Sequence, residues 1–303
     1  MKKTIHYHPG RSETGQTIEQ YLRSRGYSRR LIIQLKQLPS GFCVDGSPAH
    51  SNHRLTDGET LTVTLTEETS SPNIVPVPMD LDIVYEDEDL LVINKKANVP
   101  VHPSQGNFAN TLANGLAYYY SQKGEPFVFR PVNRLDRDTT GLLIVARHML
   151  SSCLLSEMVQ SKQLCREYLA VALGLIPEWG TITAPIARVE GSVIERCVDE
   201  QRGEYACTHY RRLLYCPDTD CSLVSLRLDT GRTHQIRVHM RHIGHPLPGD
   251  FLYCPDFRLI KRHALHSSRL TFPHPITGEA LNFHAPLPED MRQLIAISAQ
   301  PTP

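Results

Sequence analysis

The chain has 303 residues, 40% hydrophobic and 21% charged, with 32 Lys plus Arg against 32 Asp plus Glu. This is the composition of a folded globular protein with room for one large domain and a small companion, and it excludes a disordered or collagen-like chain. Zero formal net charge removes the global signature of a nucleic-acid binder, so any such binding must come from local basic clusters.

No apolar run approaches the roughly 20 residues of a membrane span, and the start Met1-Lys2-Lys3-Thr4-Ile5-His6-Tyr7-His8 lacks the apolar stretch of a signal peptide. A cytoplasmic protein without a membrane partner is expected. Eight cysteines form no CxxC pair, which favours reduced thiols over disulfides and over structural zinc.

In chain order, Thr17-Ile18-Glu19-Gln20 has capping-box spacing, and Ile18 and Leu22 follow on one helical face until Gly26. A second start at Ser28 leads into Leu31, Ile32, Leu35 and Leu38, spaced for one buried face, until Pro39-Ser40-Gly41. Phe42 and Val44 then alternate with polar neighbours before Asp45-Gly46, and Leu61, Val63 and Leu65 alternate after Asp57-Gly58. Residues 1–66 are thus expected as an ααβ unit. Its helices carry Arg23, Arg25, Arg29, Arg30 and Lys36, a run that charge alone reads equally as a solvated face or as phosphate contacts.

Residues 67–80 contain three prolines and few apolar anchors, the composition of a linker. Beyond it, Ile83-Val84-Tyr85 and Leu90-Leu91-Val92-Ile93 read as strands around an acidic turn. Further β-rich runs at 142–146, 168–173 and 222–228 are too irregularly connected for a βαβ series, so residues 81–293 are expected as an α+β domain on a mixed, mainly antiparallel sheet. Residues 294–303 are left as a tail.

Two segments carry most of the chemistry. Between Arg130 and Ala146, Asp136 and Asp138 stand among three arginines before Thr139-Thr140-Gly141 turns into an apolar strand, which puts the charges on a loop entering the sheet. Neighbouring arginine favours the ionised carboxylate that a nucleophile or general base needs; a surface ion-pair cluster is the competing reading. In the second segment, Leu228 to Met240, burial of Arg237 would cost several kcal/mol without a carboxylate, and pairing it with Asp136 explains both residues. His234, His239, His242 and His245, with His263 and His266, suggest a metal, but the surrounding arginines would repel a cation. No metal is expected.

The first helix pair with Gly26-Tyr27-Ser28-Arg29-Arg30, Val44-Asp45-Gly46 and Asp57-Gly58-Glu59 resembles an S4 RNA-binding domain, departing from its commoner pattern at Gln37-Leu38-Pro39. Arg29 and Arg30 are then RNA-binding candidates. Arg134-Leu135-Asp136 followed by Thr139-Thr140-Gly141 resembles the catalytic motif of RluA-type pseudouridine synthases, with Asn133 where histidine is usual and Thr140 where serine is usual. Lys162 to Val171 resembles the motif that places a tyrosine, here Tyr168, beside the nucleophile. Thr230-Gly231-Arg232-Thr233-His234-Gln235-Ile236-Arg237-Val238-His239 resembles the signature whose second arginine, here Arg237, contacts the catalytic aspartate.

The resemblance implies a pseudouridine synthase fold, Asp136, Tyr168 and Arg237 as catalytic residues, and Arg134, Arg232, His234 and Gln235 as RNA contacts. Arg134 takes the place of the arginine that helps displace the target base from its stack. It implies conversion of uridine to pseudouridine without a cofactor, in ribosomal RNA by preference and transfer RNA as the second choice, by a protein expected to be a monomer. Two rival classes are an RNA-binding assembly factor without activity and a hydrolase using Asp136 with a histidine base.

Overall fold

The computed structural model describes residues 1–104 and 106–296. In the N-terminal domain, Thr17 accepts from the Gln20 amide while the Gln20 side chain takes the Thr17 N–H, so a reciprocal cap starts α1 (Ile18–Ser24). Ser28 caps α2 (Arg29–Lys36) through the Leu31 amide. The helix ends before Leu38, which is exposed rather than on the expected buried face.

The expected strands form as β2 (Phe42–Val44), β3 (Ser47–Pro48) and β4 (Leu61–Thr66), and β1 (Lys2–Tyr7) joins them at the far edge in the order β1-β4-β2-β3. The ααβ expectation missed β1. Its outward positions are Lys2, Thr4 and His6, and it pairs residue for residue with the whole of β4, so only tertiary pairing makes it a strand.

Residues 67–80 have no regular secondary structure, in keeping with their prolines, yet they are not a free spacer. Ser71 and the Ser70 hydroxyl bond the backbone of Phe127, Asn114 takes the Val75 carbonyl, and Ile74 packs on the main core. The segment is a strap across the larger domain.

That domain is built on β5 (Ile83–Glu86), β6 (Leu90–Lys95), β7 (Thr140–Ala146), β8 (Cys165–Leu173), β9 (Trp179–Thr183), β12 (Cys207–Cys216), β13 (Cys221–Leu228), β14 (Leu265–Pro273) and β15 (Ala280–His284), with β10 (Ile186–Arg188) and β11 (Arg196–Val198) as a separate ribbon. The nine-stranded sheet runs β5-β6-β7-β14-β8-β13-β12-β9, with β15 beside the far half of β14; its β7–β14 pairing is parallel and its other pairings are antiparallel. The mixed, mainly antiparallel α+β architecture is the one expected.

Every residue of β7 is buried because both faces of the sheet are covered there. Leu91, Ile93, Leu143 and Val145 pack with α3 (Leu112–Gln122), whereas Leu90, Val92, Leu142 and Ile144 pack with Leu155 of α4 (Met149–Gln160). Gly141 enters β7 at φ 105°, and a Cβ there would lie 2.2 Å from the Ser267 carbonyl. Glycine is what lets the parallel pairing close.

Helix α4 also serves the N-terminal domain, since its Leu150 is buried in that domain's core with Met149 and Leu154 alongside. Lys3 of β1 adds ion pairs to Glu88 and to Asp89, at 2.9 Å from the latter. The C-terminal α6 (Glu289–Ile295) buries Met291 and Leu294, so the domain runs past the expected boundary at 293; of the expected tail, residues 297–303 lie outside the described residues. Among the described residues no helix is long and apolar enough to cross a membrane.

Candidate active site

The loop before β7 is held by its own backbone and by distant groups. Val132 pairs with Ile144, and the Asn133 side-chain oxygen accepts the Ile144 N–H at 3.0 Å, so Asn133 is buried and structural. The Asp136 carbonyl accepts the Thr139 N–H in a tight turn. Thr139 bonds His263 at 2.7 Å and Thr140 bonds His266 at 2.8 Å, both histidines being buried.

Beneath the turn, the buried Lys95 ammonium donates to the carbonyls of Lys96, Val99 and Arg137. Burial pushes its pKa down to about 7, against the pull of Asp138 and Asp136. The loop that carries Asp136 is thus fixed from below.

The facing wall is α5 (Gln235–His242) and the loop before it. His234, its N-cap, sits in the left-handed region at φ 58°, a conformation that stores strain in a non-glycine residue and clusters at functional sites. Its Nδ1 is 2.9 Å from the Tyr253 hydroxyl, and its Nε2 lies 3.9 Å from Asp136.

Three turns of chemistry meet at Arg237, whose side chain is 2% accessible. Nη1 donates to Asp136 Oδ2 at 2.8 Å, while Nε and Nη2 grip both oxygens of Asp250 at 2.6 and 2.7 Å. The guanidinium is therefore neutralised by Asp250 and still offers one directed donor to Asp136. Its rim is aromatic, with Tyr253 5.0 Å from the guanidinium carbon.

Asp136 is 28% accessible on its side chain. Burial alone would raise its pKa, but His234, Arg237 and His263 and the hydrogen bond from Arg237 reverse this and hold it below the ordinary carboxylate value. His234 itself is held below its usual value, mainly by burial, and His263 is pushed down to about 4 by burial and Arg237. At neutral pH the site therefore presents a carboxylate, a guanidinium and neutral imidazoles.

These groups open into a cavity of about 670 Å³ that Asp136, Arg237, His234, Arg134, Arg232 and Tyr168 line together. That volume lies within the usual range for small-ligand sites. Tyr168, on β8, is part of the cavity wall while almost wholly buried in the core, and Arg134 is an exposed lining residue.

The remaining expected residues have other partners or lie in the other domain. Gln235 lines the same cavity but is almost wholly buried: it donates to the Cys207 carbonyl and Thr208, and accepts from Thr230 and the Arg232 amide. Its hydrogen-bonding groups hold the loop. Arg232 pairs with Glu204, and Arg29 and Arg30 lie exposed on α2 in the other domain. Asp250 and Tyr253 are residues of the site to which the sequence assigns no role, whereas His263 bonds the loop through Thr139. The one available signal was that a buried arginine needs more negative charge than a half-exposed aspartate supplies.

The site is thus an acid held ionised by a buried arginine in a cleft with a tyrosine in its wall and arginines along it. The family model described as RNA pseudouridylate synthase matches residues 89–242. The Bacillus subtilis protein named uncharacterized RNA pseudouridine synthase YjbO is 41% identical over 280 residues, spanning 92% of this chain and 98% of the relative. Ribosomal large subunit pseudouridine synthase D of Escherichia coli K12 is 36% identical over 94% of this chain and 91% of its own length. The solved structure of human RNA pseudouridylate synthase domain containing 1 superposes with a TM-score of 0.57 at 29% identity, covering 68% of this chain and 83% of that one. The chain belongs to the RluA family of RNA pseudouridine synthases, and is an isomerase that acts on RNA.

Proposed function

We propose that this synthase isomerises particular uridines in structured ribosomal RNA, with Asp136 as the acid that acts on the ribose C1′ of a flipped-out nucleotide. The carrying observation is the 2.8 Å contact from buried Arg237 to Asp136 at the cavity floor. A carboxylate kept ionised and aimed can attack C1′ or promote elimination across the sugar; in both routes uracil leaves through N1, turns within the pocket and rejoins through C5. Tyr168 gives the detached ring a stacking surface. Arg134, an exposed lining residue, is suited to fill the gap left in the RNA stack, which offsets part of the few kcal/mol that flipping costs.

Ribosomal RNA is preferred because a relative aligned over nearly the whole chain is named for the large ribosomal subunit. The N-terminal domain, S4-like in its sequence pattern and bearing exposed Arg29 and Arg30, adds phosphate contacts, so binding weakens as salt rises.

Asp136→Asn keeps the shape and one acceptor but removes the charge. It is expected to abolish pseudouridine formation on ribosomal RNA from a strain lacking the gene, read by mass spectrometry, while RNA binding persists. Turnover by purified Asp136→Asn would reject the assignment. Mapping pseudouridines with and without the gene names the position, and a lost site in transfer RNA alone would overturn the ribosomal preference.

A further inference from the structure

Away from the cavity floor, β12 and β13 bring together three side chains that the isomerase chemistry does not use. Cys207 and His209 are two apart on β12 and so share a face. The β12–β13 ladder pairs Thr208 with Leu228, and its extension by the Asp229 N–H to the Cys207 carbonyl sets Asp229 beside them. Cys207 Sγ is 3.7 Å from His209 Nε2, which is 3.4 Å from Asp229 Oδ2, and the three ligand atoms all lie within 4.8 Å of one another.

We propose that Cys207, His209 and Asp229 form a binding site for a divalent transition cation of the zinc class. A tetrahedral zinc ion lies about 2.3 Å from sulfur and about 2.0 Å from nitrogen and oxygen, which separates sulfur from nitrogen by roughly 3.6 Å and nitrogen from oxygen by roughly 3.3 Å. The observed 3.7 and 3.4 Å match those edges. Thiolate, imidazole and carboxylate are also a donor set that suits zinc.

The surroundings orient the ligands. His209 Nδ1 is 3.0 Å from Thr181 Oγ1 on β9, a bond that leaves Nε2 free as an acceptor when Nδ1 carries the proton. Lys162 takes Asp229 Oδ1, the oxygen that does not face His209. Cys207 is buried, whereas the His209 and Asp229 side chains are 46% and 34% accessible, so the cation has an approach and water fills the fourth vertex. On binding, the Cys207 thiol passes its proton to solvent as the sulfur–metal bond forms, with no change of oxidation state.

The other cluster of this kind among the described residues, Asp87, Asp89 and His274, is a poorer candidate. Lys3 and His148 both occupy Asp89 Oδ1, and Asp87 accepts from two backbone amides, Tyr85 and His274, whereas Lys162 leaves Asp229 Oδ2 to the proposed site. In the Cys207 site, by contrast, binding would tie β12 to β13 at the root of the Thr230–His234 loop.

The test titrates untagged, reduced, chelator-stripped full-length protein with cobalt(II) as the probe. Expected are one equivalent bound with a thiolate charge-transfer band and tetrahedral visible bands, displacement by zinc(II), and loss of the charge-transfer band in Cys207→Ser. His209→Gln, at an exposed position, is expected to weaken binding ~10-fold or more and to remove the rise in Tm that zinc gives the wild type; Cys165→Ser changes neither. Absence of the band in the wild type, its persistence in Cys207→Ser, or unaltered affinity in folded His209→Gln would overturn the proposal.

Discussion

The two carboxylates on Arg237 differ in what their loss does, and Asp250→Asn against Asp136→Asn measures the difference. Asp250 is fully buried and takes two of the three hydrogen bonds that link the guanidinium to carboxylates. Asparagine keeps an acceptor for the Leu252 and Tyr253 amides that Asp250 now serves, so the substitution isolates the charge. With Asp136 left as its one carboxylate, the cost to Arg237 is at most the ~3–5 kcal/mol of a fully stranded buried cation, which for a domain of this size lowers Tm by at most roughly 6–20 °C. Asp136→Asn leaves Arg237 gripped at both Asp250 oxygens, and its stability is expected within about 1–2 kcal/mol of wild type because that carboxylate is partly solvated. Urea and thermal unfolding followed by circular dichroism, with turnover measured in parallel, should show a folded inactive Asp136→Asn and a destabilised Asp250→Asn. Equal destabilisation by both, or a wild-type Tm for Asp250→Asn, would refute the division of labour.

Acid should weaken the fold above the range in which its carboxylates protonate. His263 and His266 are each held down from 6.5 to about 4, chiefly by burial, so the unfolded chain gains protons first; full stability above pH 6.5 falls by at most about 3 kcal/mol per histidine as pH drops to about 4. A flat unfolding free energy over that window would contradict this. Gly141→Ala forces a Cβ onto the Ser267 backbone at positive φ and is expected to cost at least ~2 kcal/mol, seen as lower Tm and soluble yield; wild-type values would show the β7–β14 pairing to be slack. Lys95→Met strands the carbonyls of Lys96, Val99 and Arg137, with about 1–3 kcal/mol lost and reduced turnover from a looser Asp136 loop. Unchanged stability and turnover would remove Lys95 from that role.

Local signals were the most legible. The caps at Thr17 and Ser28 act within one turn of their helices, so the sequence displays both partners. The contact between Asp136 and Arg237 was also readable, because a buried arginine requires an acid and the segment around Asp136 offers one among cations. What depends on the sheet's closure was not: β1 becomes a strand only against β4, and residues 67–80 become a strap only where Asn114 and Phe127 meet them. Asp250 belongs to the same class, its role arising from where the turn after α5 places it against Arg237. The bonds by which Gln235 braces its loop were not legible either, because a polar residue in a functional motif looks the same whether it faces a ligand or holds a loop.

The distances along the chain within this site also govern when it can exist. Arg237 lies 101 residues beyond Asp136, and His263 lies 124 beyond Thr139, contacts of a kind that form late in folding. During synthesis the acid emerges long before the partners that orient it, and the N-terminal domain takes shape first. The arrangement around Asp136 is therefore incomplete until the chain has been made at least as far as His263 and has folded back onto the loop before β7.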